Sequence, residues 1–126
     1  MLIFFFSRRV TRILKKRRWR KRVKLELENI VKRYQKNGQT SALAVDLSNY
    51  IRRLSRLTQP SAATLYGDDW LRYLDRYLGG EEFLNGVGRI LLEAPYQAQP
   101  HFEAQVLIDL IRRWSAALLA KEQYRV

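Results

Sequence analysis

The basic residues of this chain are concentrated in its first 36 positions. Residues 1–36 contain fourteen Lys or Arg and two acidic residues, whereas residues 37–126 contain ten basic and ten acidic residues. The whole net charge of +12 therefore lies in the N-terminal segment. A neutral domain joined to a cationic segment indicates that an anionic partner meets the segment rather than the domain.

An apolar cluster, residues 2–6, precedes the basic run, and residues 8–24 contain no acidic residue. A secretory signal has the opposite order, with its positive residues first. Apolar residues followed by Lys and Arg are typical of the cytoplasmic end of a transmembrane helix. We therefore predict that this segment lies at a membrane and that the domain lies on the cytoplasmic side. The predicted membrane-surface residues are Phe4, Phe5, Phe6, Arg8, Arg9, Arg12, Lys15, Lys16, Arg17, Arg18, Trp19, Arg20, Lys21 and Arg22.

The apolar cluster is too short to span a bilayer, because spanning takes roughly 20 apolar residues and only 1–6 precede Ser7. One interpretation is the end of a spanning helix from a longer protein, lost by truncation or a late start assignment. The other is shallow insertion of three Phe, each worth about 1.5–3 kcal/mol, while each cation contributes about 1 kcal/mol. We predict residues 1–7 as the end of a membrane anchor, truncated or interfacial, 8–36 as a basic juxtamembrane helix, and 37–126 as a helical cytoplasmic domain.

Two other partners fit a basic segment. Residues 8–36 could bind nucleic acid through its phosphates, with Trp19 as a stacking platform, and such binding would depend on salt. The segment could also be a tail that only keeps a neutral domain soluble. A membrane is favoured over both, because a cluster of three Phe is a liability in water and because indoles prefer the headgroup layer.

The apolar positions predict an all-α fold, a small bundle of about five helices with a long basic first helix. Val23, Leu27, Ile30, Val31 and Tyr34 form one helical stripe, which Asn37-Gly38 ends. Further stripes follow over 43–57, 70–78, 83–91 and 102–118. We expect Thr40 or Ser41 to cap the second helix and Asp68 or Asp69 to cap the third. Trp70, Phe83 and Trp114 are the expected core anchors.

Catalytic chemistry is not predicted. The chain has no Cys and one His, which excludes thiolate sites and any site that needs two imidazoles. Gly86-Val87-Gly88 lacks the third glycine and the preceding strand of a dinucleotide fingerprint. We therefore expect a non-enzymatic protein with no catalytic, cofactor or metal site.

Two structural expectations concern the neutral domain. Arg89 stands in an otherwise apolar segment, and we predict Asp75 as its carboxylate partner. Tyr73, Tyr77 and Tyr96 are predicted to be exposed and to form a partner-binding face.

Residues 67–75 and 86–96 carry a resemblance. The pattern Trp-Leu-x-x-Leu-Asp in the first stretch and Gly-x-Gly-Arg followed by Ala-Pro-Tyr in the second resemble a bacterial family of unknown function, whose genes lie beside those of MoxR-type AAA ATPases and Bat-type von Willebrand factor A proteins. The similarity covers roughly residues 8–118. The structural-motif residues are Trp70, Leu74, Asp75, Phe83, Gly86, Gly88, Arg89, Pro95, Tyr96 and Trp114.

The resemblance implies one N-terminal transmembrane helix, a basic juxtamembrane helix and a helical cytoplasmic domain. It implies no catalytic residue. It suggests an accessory role beside a MoxR ATPase and von Willebrand A proteins that mature or assemble envelope proteins. Together with the charge order, it predicts a membrane-associated adaptor at the bacterial inner membrane that faces the cytoplasm, with an anionic membrane surface and those proteins as partners.

Overall fold

The structure, a computed structural model, describes residues 2–98 and 100–121, without the side chains of residues 2–6 and Pro95. The described residues form α-helices and short 3₁₀ segments and contain no strand, so the predicted all-α bundle of about five helices is confirmed. The helices are α1 (Leu2–Asn37), α2 (Thr40–Thr58), α3 (Gly67–Asp75), α4 (Ile90–Glu93) and α5 (Ala104–Lys121). The 3₁₀ segments are Pro60–Thr64, Val87–Arg89 and Ala94–Tyr96.

Helix α1 joins the bundle through its second half. Its apolar stripe is buried from Trp19 to Val31, as its four-residue spacing predicts. Gly38 ends the helix in the left-handed conformation, with a φ of 65°, and its N–H donates to the carbonyl of Tyr34 at 2.7 Å. The predicted end of the first helix is therefore confirmed.

Helices α2 and α5 supply most of the remaining core. α1 packs against both of them, and α2 also packs against α4. Trp114 and Phe83 are fully buried and Trp70 is 2% exposed, so the three predicted anchors are confirmed. The buried residues of α2 and α5 include Leu43, Leu47, Tyr50, Ile51, Leu54, Leu107, Leu110, Ile111 and Leu118.

The predicted N-caps are wrong. The N-cap of α3 is Tyr66, and the helix begins at Gly67, whose φ of 58° turns the chain into the first turn. Asp68 and Asp69 therefore lie inside that turn, where a carboxylate still interacts favourably with the positive end of the helix dipole. Likewise, the N-cap of α2 is Gln39 rather than Thr40 or Ser41.

Candidate functional site

The first half of α1 projects from the bundle. Residues 7–18 are exposed except for Lys16, which is partly buried. At 1.5 Å per residue, these twelve residues extend for about 18 Å. We call residues 7–18 the projecting segment.

The projecting segment contains seven Lys or Arg and no acidic residue. Like charges one helical turn apart, such as Arg8 and Arg12 or Arg12 and Lys16, destabilise an exposed helix by about 0.2–0.5 kcal/mol per pair. This repulsion is relieved when anions lie along the helix. The exposed charge of the segment is therefore of one sign only.

Three exposed apolar side chains interrupt these cations. Val10, Ile13 and Leu14 are 39%, 48% and 45% exposed. Their offsets of three and four residues place them on one face of α1. At 100° per residue, this face points about 120° away from the stripe that α1 buries in the bundle. Our sequence prediction missed this apolar face, although its spacing was visible in the sequence.

Trp19 and Arg20 do not belong to the exposed cationic surface, so their assignment to a membrane surface is corrected. Trp19 is 5% exposed and packs in the core, four residues before Val23 on the same stripe. Arg20 turns towards α5 and donates from Nη2 to the carbonyl of Leu119 at 2.9 Å. The indole is therefore unavailable for stacking on bases or for insertion among headgroups.

The other predicted membrane-surface residues divide into three groups. Arg8, Arg9, Arg12, Lys15, Arg17, Arg18, Lys21 and Arg22 are exposed, and Lys16 is partly buried. The side chains of Phe4, Phe5 and Phe6 lie outside the described part of the structure. The exposed cations therefore define the site to be explained.

The predicted location in the bacterial inner membrane, with the domain on the cytoplasmic side, is overturned. Within the described residues, no helix is both long enough and apolar enough to cross a bilayer. α1 has sufficient length at 36 residues, but cations recur on its turns from Arg8 onwards. Their desolvation cost opposes passage through hydrocarbon.

A second group of predicted residues forms one structural unit around Asp75. This carboxylate is 8% exposed and accepts the N–H groups of Phe83 at 2.9 Å and of Leu84 at 3.1 Å. It thereby ties the end of α3 to the loop that leads to the glycine motif. Two charge-assisted hydrogen bonds satisfy the buried carboxylate without a cation.

The predicted pair between Asp75 and Arg89 is wrong. Arg89 instead pairs with Asp68 at 3.1 Å and with Glu93 at 3.5 Å, and it donates to the carbonyl of Leu84 at 2.9 Å. Arg89 therefore connects the start of α3, the loop and α4. Arg89 thus joins the two stretches that carry the resemblance at the start of α3, while Asp75 joins the end of α3 to the loop between them.

Close packing explains the two motif glycines. A Cβ on Gly88 would lie 2.6 Å from Cδ1 and 2.8 Å from Cα of Phe83, and a Cβ on Gly86 would lie 2.6 Å from the carbonyl oxygen of Glu82. Because these neighbours include backbone atoms, they cannot move aside cheaply. The motif residues Leu74 and Phe83 are fully buried, so this region serves packing.

The tyrosine prediction is partly wrong. Tyr73 and Tyr77 are only 8% and 9% exposed, whereas Tyr96 is 90% exposed. Tyr73 stacks on Trp70 at 5.6 Å, and the Tyr77 ring meets Trp114 edge-on at 5.9 Å. Their rings are core elements, while the two hydroxyls lie 3.2 Å apart at the edge of the core.

Ion pairs neutralise the surface of the bundle. Arg112 binds Glu28 through two hydrogen bonds of 3.0 and 2.9 Å, and Arg113 binds Glu82 at 2.9 and 2.6 Å. The hydrogen bond from Arg112 holds the pKa of Glu28 below its ordinary value, and Arg113 lowers the pKa of Glu82 in the same way. Arg53 forms a similar pair with Glu26. These pairs were not predicted, because the sequence does not say which acidic and basic residues meet.

The described part of the chain holds no group of three His, Cys, Asp or Glu side chains placed to share a metal ion. His101 is exposed at the start of the segment that leads into α5. The geometry instead offers a cationic projecting segment and a bundle whose motif residues pack together.

A family described as "Domain of unknown function (DUF4381)" matches residues 1–117. The chain belongs to this family. The match spans both α1 and the motif residues around Asp75 and Arg89. The prediction that the chain belongs to a family of unknown function is therefore confirmed. No curated protein and no solved structure matches the chain.

Proposed function

We propose that this DUF4381 protein is a non-enzymatic adaptor whose projecting segment binds peripherally to an anionic lipid surface. The neutral bundle then presents its own surface to a protein partner. The observation that carries the proposal is the exposed face of Val10, Ile13 and Leu14 among seven cations. A basic helix with one apolar face is the usual form of a helix that lies in the interface of a lipid surface.

The direction of this face supports the same conclusion. It points about 120° away from the stripe that α1 buries, so the bundle does not stand between this face and a surface on which the segment lies. Nucleic acid would use the cations but has no need for three exposed aliphatic side chains. Burial of Trp19 also removes the stacking residue that such binding would use.

The protein partner follows from the family resemblance. A MoxR-type AAA ATPase or a von Willebrand factor A protein is the proposed occupant of the bundle surface, for which exposed Tyr96 supplies an aromatic contact. A direct binding measurement between the purified chain and each of these proteins tests this part. Binding that persists in a Tyr96→Ala variant argues against the proposed contact.

Co-sedimentation with vesicles tests the lipid surface. The full chain is expected to bind phosphatidylglycerol–phosphatidylcholine vesicles and not phosphatidylcholine alone. Arg12→Gln with Lys15→Gln should weaken binding about tenfold or more, because each cation near an anionic surface contributes about 1 kcal/mol. Lys32→Gln with Lys36→Gln is the matched control, since it removes the same charge from the docked half of the same helix.

The apolar face gives a sharper comparison. Ile13→Ser with Leu14→Ser should reduce vesicle binding and leave any retardation of DNA or RNA unchanged, because only lipid uses the aliphatic groups. Leu57→Ser with Val106→Ser is the control, as both side chains are 42% exposed on the bundle. Equal loss of vesicle binding in the two pairs, or strong nucleic-acid binding at physiological salt, would contradict the proposal.

A further inference from the structure

A cleft of about 540 Å³ opens at one end of the bundle. It lies between the end of α2, the 3₁₀ segment that follows, the end of α3 and the last residue of α5. Its size is that of a pocket for a small organic ligand. Its lining residues are Gln59, Ser61, Ala62, Leu65, Tyr73, Arg76, Tyr77 and Lys121.

The lining supplies hydrogen-bond donors and positive charge. Lys121 donates to the carbonyl of Tyr77 at 3.1 Å and lies 5.9 Å from the centre of its ring. The hydroxyls of Tyr73 and Tyr77 are 3.2 Å apart, and the Tyr73 hydroxyl can donate its proton either to Tyr77 or to a bound acceptor. Among the described residues, no acidic side chain lines the cleft.

Arg76, like Arg52 and Arg56, pairs with no carboxylate among the described residues. It is exposed at the cleft. By contrast, six arginines outside the cleft each pair with a carboxylate, namely Arg33, Arg53, Arg72, Arg89, Arg112 and Arg113. Arg76 and Lys121 therefore bring positive charge to the cleft that no neighbouring carboxylate in the described structure balances.

The cleft lies at the end of the bundle from which the projecting segment leaves. Arg20 follows that segment directly and donates to the carbonyl of Leu119, two residues before Lys121. This hydrogen bond places the end of α5, which includes Lys121, beside the point where the docked half of α1 begins.

We propose that this cleft binds the glycerol phosphate head of an anionic lipid. Arg76, Lys121 and a tyrosine hydroxyl bind the phosphate oxygens, Gln59 and Ser61 suit the glycerol oxygens, and Leu65 and Ala62 contact the carbon chain. Charge-assisted hydrogen bonds of this kind are the strong ones, and Arg matches phosphate geometry well. The inference rests on the proposed function, and it adds a headgroup site to a helix that otherwise recognises only charge.

Calorimetric titration of the full chain with glycerol 3-phosphate tests the site. Arg76→Gln with Lys121→Gln is expected to weaken binding about tenfold, whereas Lys32→Gln with Lys36→Gln changes it less than twofold. Tyr73→Phe keeps the ring and should weaken binding by a smaller factor, because it removes one hydroxyl. Circular dichroism melts establish that each variant is folded. Equal affinity in the wild type and the Arg76/Lys121 variant overturns the proposal.

Vesicles separate a lipid source from free phosphate. The Arg76/Lys121 variant should bind phosphatidylglycerol–phosphatidylcholine vesicles more weakly than the Lys32/Lys36 control does. If inorganic phosphate binds as tightly as glycerol 3-phosphate and the variant keeps full vesicle binding, the cleft is a free-phosphate site and the lipid assignment is overturned. The Arg12/Lys15 variant should keep its affinity for glycerol 3-phosphate. Failure of the proposed function would appear in the vesicle response of that variant and not in its affinity for glycerol 3-phosphate, so the two failures are distinguishable.

Discussion

The two halves of α1 have the same number of cations but differ in whether they pack against the bundle. Residues 7–18 and residues 19–37 each contain seven Lys or Arg, yet the first half projects and the second is docked. The docked half carries Glu26 and Glu28, which pair with Arg53 and Arg112, and a continuous buried stripe from Trp19 to Val31. Docking thus follows from the apolar stripe and from carboxylates, not from the amount of basic charge.

The largest expected loss of stability is at Trp19, where α1 begins to pack against the bundle. Trp19→Ala should lower the free energy of unfolding by about 3 kcal/mol, because it removes a large side chain that is 95% buried at the edge of the core. Urea denaturation followed by circular dichroism measures this loss. A change below 1 kcal/mol would show that the helix does not dock at Trp19 and would break the comparison between the halves.

The next largest loss of stability is expected at the close contact between Gly88 and Phe83. Gly88→Ala should destabilise the bundle by about 2 kcal/mol, because its Cβ would overlap both the ring and the backbone of Phe83. Gly80→Ala is the control, since nothing lies within 4 Å of a Cβ at Gly80. Thermal unfolding of both variants compares them, and similar melting temperatures would refute the packing role of Gly88.

The ion pair between the docked half and α5 predicts a pH dependence. The folded-state pKa of Glu28 is lowered from its ordinary value of 4.5 by its hydrogen bond with Arg112. Its stabilisation is therefore fully present above that ordinary value and is lost as the pH falls through the lower folded-state pKa. Both side chains are more than a third exposed, so Glu28→Gln should cost about 0.5–1 kcal/mol at pH 7.

Unfolding of wild type and Glu28→Gln at neutral and strongly acidic pH measures this dependence. The difference in free energy of unfolding between the wild type and Glu28→Gln should shrink at acidic pH, where the side chain at position 28 is uncharged in both proteins. Arg112→Gln and the double variant complete the cycle, and additive losses would mean that the pair contributes nothing of its own.

The smallest effect on stability is expected in the projecting segment. Ile13→Ala with Leu14→Ala should change the free energy of unfolding by less than about 0.5 kcal/mol, because both side chains are nearly half exposed. Chemical denaturation provides the value. A loss comparable to that of Trp19→Ala would mean that these residues pack against the bundle, contrary to their exposure.

Periodicity made most of the fold predictable. The stripes of α1, α2 and α5 repeat every three or four residues, and Asn37-Gly38 has the composition of a helix end. The same regularity extended to Trp19, which is one turn before Val23. The cations on both sides of Trp19 hide this regularity, because they are its neighbours in the sequence but do not share its buried face of the helix.

The candidate site was less predictable, since it depends on which residues meet in space. The predicted partner of Arg89 is Asp75 at the end of α3, but the 3₁₀ segment Val87–Arg89 brings Arg89 to Asp68 at the start of that helix. Tyr73 and Tyr77 are not exposed as predicted, because their rings lie on the buried face of the chain around Trp70 and Trp114. The cleft beside them joins residues from the segment that follows α2, from the end of α3 and from α5, which no spacing reveals.

The continuity of α1 has a mechanical consequence. No Gly or Pro occurs between residues 2 and 37, so a rigid rod rather than a tether joins the cationic tip to the globular part. Any object held at the tip stands at a set height and angle from the bundle. Two such molecules on one surface would therefore hold their partners at the same level and in the same orientation.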